Sequence, residues 1–176
     1  MSSSIDKSIL YPSIKKPSCR VMLIGGPPGS GKSYYINKNK KQDDIVIDLD
    51  DIMSELSGLP IYQADKDTWL MPALKERNKR LSSLCNENTN RVAWVIICAS
   101  GTQWSWWRIT LKPKETHSCW MPMDVCINRI KADQRRSHQV DKHIKACVDW
   151  FDAEQRSIKN AVSYGNGREW AGVEEK

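Results

Sequence analysis

The chain has 176 residues, of which 40% are hydrophobic and 27% charged, and its 27 Lys and Arg against 21 Asp and Glu give a net charge of +6. This composition is typical of one folded domain and excludes a fibrous or a disordered protein. No apolar run approaches the roughly 20 residues that a membrane-spanning helix needs. The N-terminus lacks a hydrophobic segment followed by a cleavage site, so we expect a cytoplasmic protein.

Apolar runs of strand length alternate with longer helical patterns, which is typical of a parallel sheet covered by helices. The predicted strands are 19–24, 45–49, 92–98 and, with a polar start, 117–121. The alternation predicts an α/β fold of three layers, with about five parallel strands.

Helices are predicted at 32–38, 50–57, 67–85, 124–136 and 141–163. The third has one stripe of residues near helical spacing that we expect to be buried. This stripe consists of Trp69, Leu70, Ala73, Leu74, Arg77, Leu81 and Leu84. We expect a single domain at 19–164, preceded by a polar arm at 1–18 and followed by a flexible tail at 165–176.

Residues 26–33 read Gly-Pro-Pro-Gly-Ser-Gly-Lys-Ser and match the phosphate-binding pattern G-x-x-x-x-G-K-[ST] in full. Its glycines let successive backbone N–H groups point at phosphate oxygens, and the next helix adds its positive end. We expect Lys32 to reach the β- and γ-phosphates and Ser33 to hold Mg²⁺. The predicted nucleoside triphosphate site therefore consists of Gly26, Pro28, Gly29, Ser30, Gly31, Lys32 and Ser33.

The candidate carboxylates follow the second strand, because no acidic residue follows 92–98. Asp48 and Asp50 are two residues apart, so in an extended segment both would project from the same side. They are candidate Mg²⁺ ligands, and Asp50 is the candidate base that accepts a proton from an attacking hydroxyl. The alternative is that Asp50 or Asp51 only caps the following helix.

The predicted helix at 124–136 is rich in arginine. Arg129, Asp133 and Arg136 lie four and then three residues apart, so they would share one helix face. A mobile helical lid can deliver arginines that neutralise the charge of a transferring phosphoryl group. Arg129 is then a candidate catalytic residue, together with Arg136 or its neighbour Arg135. The alternative is a solvated helix with a surface ion pair between Arg129 and Asp133.

Three tryptophans, Trp104, Trp106 and Trp107, follow the third strand. Indole rings beside a nucleotide site can stack on bases, which with a basic protein suggests single-stranded nucleic acid. The alternative is that these rings pack in the core. The charge of +6 is compatible with a nucleic-acid partner but does not indicate one.

The order of GPPGSGKS, VIDLDDI and C-x-x-R-x-x-x-D-x-x-R resembles the small P-loop kinase-like ATPases that are widespread in bacteriophage genomes. These proteins are similar to the kinase half of bacteriophage polynucleotide kinase. The resemblance covers roughly residues 20–160. It implies an ATP and Mg²⁺ site at 26–33, a general base at Asp50 and a lid arginine at Arg129.

One part of the polynucleotide kinase pattern is missing. In that family, arginines immediately before the Asp pair and two residues after it contact the acceptor nucleotide, whereas this chain has Leu49 and Met53 there. The resemblance therefore implies ATP use more strongly than transfer to a polynucleotide end.

Three functions remain open at this point. The leading hypothesis is a kinase-like phosphotransferase that moves the γ-phosphate of ATP to a hydroxyl of a nucleotide, a nucleic-acid end or a small molecule. The second is an ATPase that acts as an accessory factor in phage DNA metabolism or packaging. The third is a protein that binds nucleotide for structure alone.

Overall fold

A computed structural model of the chain describes the backbone of residues 7–165 and the side chains of residues 7–160. Its strands are β1 (Arg20–Gly25), β2 (Ile45–Ile47), β3 (Val92–Ile97) and β4 (Glu115–Ser118). All pair in parallel, in the order β2-β3-β1-β4. The predicted parallel sheet is confirmed, and the described residues give it four strands rather than about five.

Helices connect and cover these strands. They are α1 (Lys7–Leu10), α2 (Lys32–Asn39), α3 (Leu49–Ser57), α4 (Lys66–Ser83), α5 (Gly101–Leu111), α6 (Met123–Ala132) and α7 (Val140–Gly165). Two 3₁₀ segments, Leu84–Asn86 and Gln134–Gln139, follow α4 and α6. Within residues 7–165, no helix combines the length and apolar character that a membrane crossing requires.

The core lies on both faces of the sheet because successive side chains of a strand point to opposite sides. In β1, Val21 and Leu23 belong to the larger cluster, which α3, α4 and α5 cover. Met22 and Ile24 belong to a second cluster, which includes Ile36 of α2. The helices therefore cover both faces of the sheet, and the predicted three-layer α/β fold is confirmed.

Strand β2 ends two residues earlier than predicted. The Asp48 side chain accepts a hydrogen bond from the Asp50 backbone N–H at 3.1 Å, so Asp48 caps α3 and the helix begins at Leu49. The expectation that Asp48 and Asp50 share one side of an extended segment is wrong. The alternative that Asp50 or Asp51 provides the cap is also wrong, because both lie in the first turn of α3.

The predicted helix at 124–136 is interrupted. Asp133 has extended backbone angles, φ −81° and ψ 100°, and its carboxylate accepts from the Arg135 N–H at the start of the 3₁₀ segment. Arg129, Asp133 and Arg136 therefore do not share a continuous helix face, and that prediction is wrong. Within the described residues no ion pair joins Arg129 to Asp133; Asp133 pairs with Arg135 and Arg136 instead.

The described part of the predicted arm packs against the domain. Asn78 Nδ2 on α4 donates to the Ile9 carbonyl at 2.9 Å, and the Tyr11 ring meets Trp106 edge-on at 5.1 Å. Of the predicted tail at 165–176, Gly165 ends α7 and the rest lies outside the described residues. The boundaries of the domain stay a prediction.

Candidate active site

The loop between β1 and α2 requires glycine at several positions. Gly26, Gly29 and Gly31 have φ of 133°, 79° and 97°, a region that side chains disfavour. A Cβ at Gly26 would lie 2.6 Å from the Cys119 carbonyl oxygen, and one at Gly29 would lie 2.6 Å from that of Cys126. The loop is therefore held tightly between the segment after β4 and helix α6.

The interior of this loop is suited to an anion. Gly31 is the N-cap of α2 and supplies no side-chain cap, so the first N–H groups of the helix are left for a ligand. The Ser30 hydroxyl is buried and has no hydrogen-bond partner among the described residues. Phosphate oxygens would satisfy such donors, and the assignment of these residues to a phosphate site stays a prediction.

Lys32 places its charge inside the loop. Its side chain is 8% exposed, and Nζ donates to the carbonyl oxygens of Gly26 at 2.9 Å and Pro27 at 2.7 Å. None of the described carboxylates forms an ion pair with Lys32. A buried cation whose described hydrogen-bond partners are neutral carbonyl oxygens favours an anionic ligand.

Ser33 and Asp48 meet at the end of β2. Ser33 Oγ donates to Asp48 Oδ2 at 3.4 Å, and Asp48 is only 6% exposed. Burial, together with the nearby charges of Asp50 and Asp51, raises the pKa of Asp48 to about 7. A bound cation would stabilise the ionised carboxylate of Asp48.

These residues fit Mg²⁺ as the ion is usually held. Proteins bind Mg²⁺ through one or two carboxylates, with water and substrate phosphates completing the octahedron. Ser33 and Asp48 supply a hydroxyl and a carboxylate beside the phosphate loop. Among the described residues no group of three His, Cys, Asp or Glu side chains forms a metal site, so a ligand must supply further oxygens.

Asp50 lies in the first turn of α3 and lines the same cavity as the phosphate loop. Asp48 makes the helix cap, so the Asp50 carboxylate is not used for capping. Asp51 is exposed and does not line this cavity. Of the three acidic residues, Asp50 is the one that can meet a second molecule bound beside the loop.

The three candidate arginines line the cavity at different places. Arg129 Nη1 on α6 donates to the Ser30 carbonyl at 3.4 Å, so this arginine reaches the phosphate loop. Asp133 holds the other two, with Arg135 Nε at 2.8 Å and Arg136 Nε at 3.2 Å. The structure therefore separates Arg129 from the Arg135 and Arg136 pair.

The buried side chains of Arg136 and His143 form a cluster with the half-buried Tyr62. The Arg136 guanidinium lies 3.6 Å from the centroid of the Tyr62 ring, and Nη1 lies 3.0 Å from His143 Nδ1. Arginine can only donate, so Nδ1 accepts and the proton of the neutral ring is on Nε2. Sequence reasoning did not find Tyr62 or His143; the φ of 69° at Tyr62, an unusual value for a tyrosine, is visible only in the structure.

The tryptophan cluster divides between core and cavity. A Cβ at Gly25 would lie 2.6 Å from the Trp104 ring, so Trp104 packs under the end of β1. Trp106 packs on Trp107 at 4.7 Å, and Trp107, only 1% exposed, also lines the cavity. The core interpretation therefore describes Trp104 and Trp106 best.

All these elements surround one cavity of about 670 Å³. Beyond the phosphate loop it extends past the carboxyl ends of β2 and β3, where ligands bind in open α/β sheets. That size is in the range of a small-molecule site, roughly 300–1,000 Å³. The walls away from the loop include Tyr62, Lys66, Arg77, Gln103, Trp107 and Trp150.

Comparisons with known proteins identify a similar solved structure and a matching family. The fold is similar to that in the crystal structure of TT1252 from Thermus thermophilus, with a TM-score of 0.48, 17% sequence identity, and coverage of 81% of this chain and 86% of that one. No curated protein matches the sequence. The sequence matches the AAA domain family over residues 21–153. Because this match spans most of the chain and includes the phosphate loop, the chain belongs to the AAA domain family and is a P-loop, nucleotide-binding, kinase-like protein.

Proposed function

We propose that this protein is a phosphotransferase that moves the γ-phosphate of ATP to a hydroxyl of a small acceptor. The observation that carries the proposal is that Asp50 lines the same cavity as the phosphate loop. Among the described residues its carboxylate neither caps a helix nor pairs with a cation. The cavity continues beyond Asp50 and the loop, which provides room for an acceptor. Beside the γ-phosphate of bound ATP, a protein that only hydrolyses ATP needs room for a water molecule alone.

Each residue of the site has a separate role in the proposed transfer. The loop N–H groups and Lys32 bind the phosphates, and Ser33 with Asp48 would hold Mg²⁺, which supplies positive charge to the phosphate oxygens. Asp50 accepts the proton of the acceptor hydroxyl. The hydroxyl oxygen of the acceptor bonds to the γ-phosphorus as the bond between that phosphorus and the β–γ bridging oxygen breaks, which leaves ADP. Arg129, beside the loop, stabilises the charge that develops on the transferring group.

The surroundings of Asp50 support a small acceptor rather than a polynucleotide end. Met53, at one of the two positions where the polynucleotide kinase pattern has an arginine, is buried in the core. Leu49, at the other, packs against the same core. Neither position offers a cation to a nucleic-acid backbone. This departure favours an acceptor recognised by other residues of the cavity.

The test compares two variants during ATP consumption, with product masses measured. We expect Lys32→Ala to abolish the rise in melting temperature that ATP and Mg²⁺ cause. Asp50→Asn should keep that rise and lose turnover by about 100-fold or more, the lower range for a general base. Asp51→Asn, in the same helical turn but outside the cavity, is the matched control.

Two outcomes would decide against the proposal. Turnover of Asp50→Asn at the parent rate would remove the general base. Free phosphate without any phosphorylated product, stimulated by DNA or a protein partner, would favour the accessory ATPase instead.

A further inference from the structure

We propose that the acceptor carries an anionic group, a carboxylate or a phosphate, and that Arg77 binds it. This inference rests on the proposed function, because it names the class of molecule that occupies the cavity beside Asp50. It assigns a specificity-determining role to Arg77.

Arg77 is a buried charge on the cavity wall. It is 7% exposed, and it lies on the face of α4 that looks into the core and the cavity. Burial lowers the pKa of Arg77 to about 10, which leaves the guanidinium protonated at neutral pH. A buried cation of this kind is stable only when partners compensate for its lost hydration.

The described partners of Arg77 are neutral and satisfy one side of the guanidinium. Nε and Nη2 donate to Asn78 Oδ1 at 3.2 and 2.9 Å, and Nη2 has a long contact of 3.5 Å to the Ile9 carbonyl. No hydrogen bond from Nη1 occurs among the described residues, and no described carboxylate pairs with Arg77. One edge of the guanidinium is therefore left for a ligand.

Arg80, on the same helix, shows that the lack of a carboxylate partner at Arg77 is unusual. Arg80 is more exposed and pairs with both Glu55 and Glu76. The more exposed arginine thus has two carboxylate partners and the buried one has none in the described part of the chain. An anchoring role alone does not explain Arg77, since Asn78 already binds the Ile9 carbonyl at a shorter distance, 2.9 Å.

The walls around Arg77 indicate the rest of the acceptor. The Arg77 guanidinium lies over the Trp107 ring, 4.9 Å from the ring centroid, and this contact helps to hold the guanidinium in place. Gln103 and Trp150 line the same cavity, and Trp150 Nε1 donates to the Ala99 carbonyl at 3.3 Å, so its ring is fixed as well. A fork of N–H donors beside flat apolar walls is suited to a planar anion on a short apolar body.

The first experiment measures binding without turnover. The protein, saturated with ADP and Mg²⁺ so that the phosphate loop is occupied, is titrated with benzoate and phenyl phosphate and with their neutral analogues benzyl alcohol and phenol. We expect at least one anion to bind about 10- to 100-fold more tightly than its analogue, as a charge-assisted hydrogen bond provides. The two anions distinguish a carboxylate from a phosphate.

Variants assign that preference to Arg77. Arg77→Gln should remove it, Arg77→Lys should retain part of it, and Arg80→Gln should leave it intact. Equal binding of anions and neutral analogues to the parent protein would overturn the inference, and this comparison needs no variant to fold. An unchanged preference in folded Arg77→Gln would also overturn it.

The second experiment measures transfer. Hydroxy acids and phosphorylated alcohols are compared with their neutral analogues as acceptors of the γ-phosphate, and Arg77→Gln should raise KM for the anionic member by about 10-fold or more with a smaller change in kcat. Arg77-dependent anion binding with no product from any compound would refute the phosphotransferase and leave the anion site standing. Transfer that is indifferent to acceptor charge would keep the phosphotransferase and refute the role of Arg77.

Discussion

Ser33 at the start of α2 donates a hydrogen bond to Asp48 at the start of α3, with 3.4 Å between Oγ and Oδ2. The other carboxylate oxygen of Asp48 caps α3 by accepting from the Asp50 N–H. One side chain therefore both begins a helix and presents a carboxyl oxygen to Ser33, beside the phosphate loop. The two roles can be separated, because asparagine caps helices about as well as aspartate.

Asp48→Asn should weaken the response to Mg²⁺ and leave the fold intact. The amide keeps a capping oxygen but loses the charge that a divalent ion requires. We expect the Mg²⁺ concentration that gives half of the ADP-dependent rise in melting temperature to increase about 10-fold or more, the size of effect that loss of a charged ligand gives. Asp51→Asn is the control, and the same Mg²⁺ response in both variants would contradict the assignment.

Arg129→Ala should lower turnover much more than ATP affinity. The guanidinium is beside the phosphate loop, where charge develops during transfer, and loss of such an arginine costs about 1,000-fold or more in kcat. Steady-state kinetics and an ATP titration measure the two effects separately. Lys131→Ala, an exposed cation on the same helix, should change neither. Equal losses of turnover and affinity in Arg129→Ala would indicate binding of the ground state instead.

Gly29→Ala should destabilise the protein more than Gly58→Ala. Both glycines have positive φ, 79° and 69°, which costs an alanine about 1–2 kcal/mol. Only at Gly29 would the new Cβ meet a backbone atom, the Cys126 carbonyl oxygen at 2.6 Å; nothing lies within 4 Å at Gly58. Urea unfolding should show an additional loss of about 1–3 kcal/mol for Gly29→Ala, and equal losses would show that the loop can move away from α6.

Stability should fall in mild acid because of His143. Burial, followed by the nearby charges of Arg136 and Lys66, lowers the pKa of His143 to about 4, against which Asp50 acts weakly in the opposite direction. In the unfolded chain the pKa is about 6.5, so below that pH the unfolded state binds more protons than the folded state. The stability that the neutral ring of His143 contributes is therefore complete above pH 6.5 and is lost as the pH falls towards 4.

Urea unfolding of the parent protein between pH 7 and 4 measures this loss, and His143→Gln is the matched variant. Glutamine can still accept a hydrogen bond from Arg136 but does not titrate, so the slope of stability against pH should become shallower. An identical slope in both proteins would show that other groups, among them the carboxylates, cause the acid sensitivity.

The sequence predicts best what is encoded locally. The phosphate loop is recognisable because its glycines and Lys32 occupy fixed positions in eight consecutive residues. Strands β1 and β3 are recognisable because they are short apolar runs. Helix α5 was not predicted. Its sequence begins with Gly101 and contains Thr, Ile and aromatic residues of moderate helix propensity, so the burial of Trp107 and Leu111 decides its conformation.

The site depends on details that a sequence pattern does not contain. A shift of two residues at the end of β2 turns Asp48 from a strand residue into a helix cap, and the extended backbone at Asp133 moves Arg136 off the face of Arg129. Arg77 did fall in the predicted buried stripe of its helix. A lone arginine in such a stripe was the available signal, but only the structure shows that its described partners are uncharged.

The position of Lys32 has a consequence for the speed of ligand capture. Its ammonium group has already exchanged most of its hydration for two carbonyl oxygens of the loop, so an arriving triphosphate replaces those oxygens rather than a shell of water. The cost of removing water from this ammonium group has thus already been met in the free protein, so we expect capture of a nucleotide to be limited by diffusion into the cavity rather than by dehydration of Lys32.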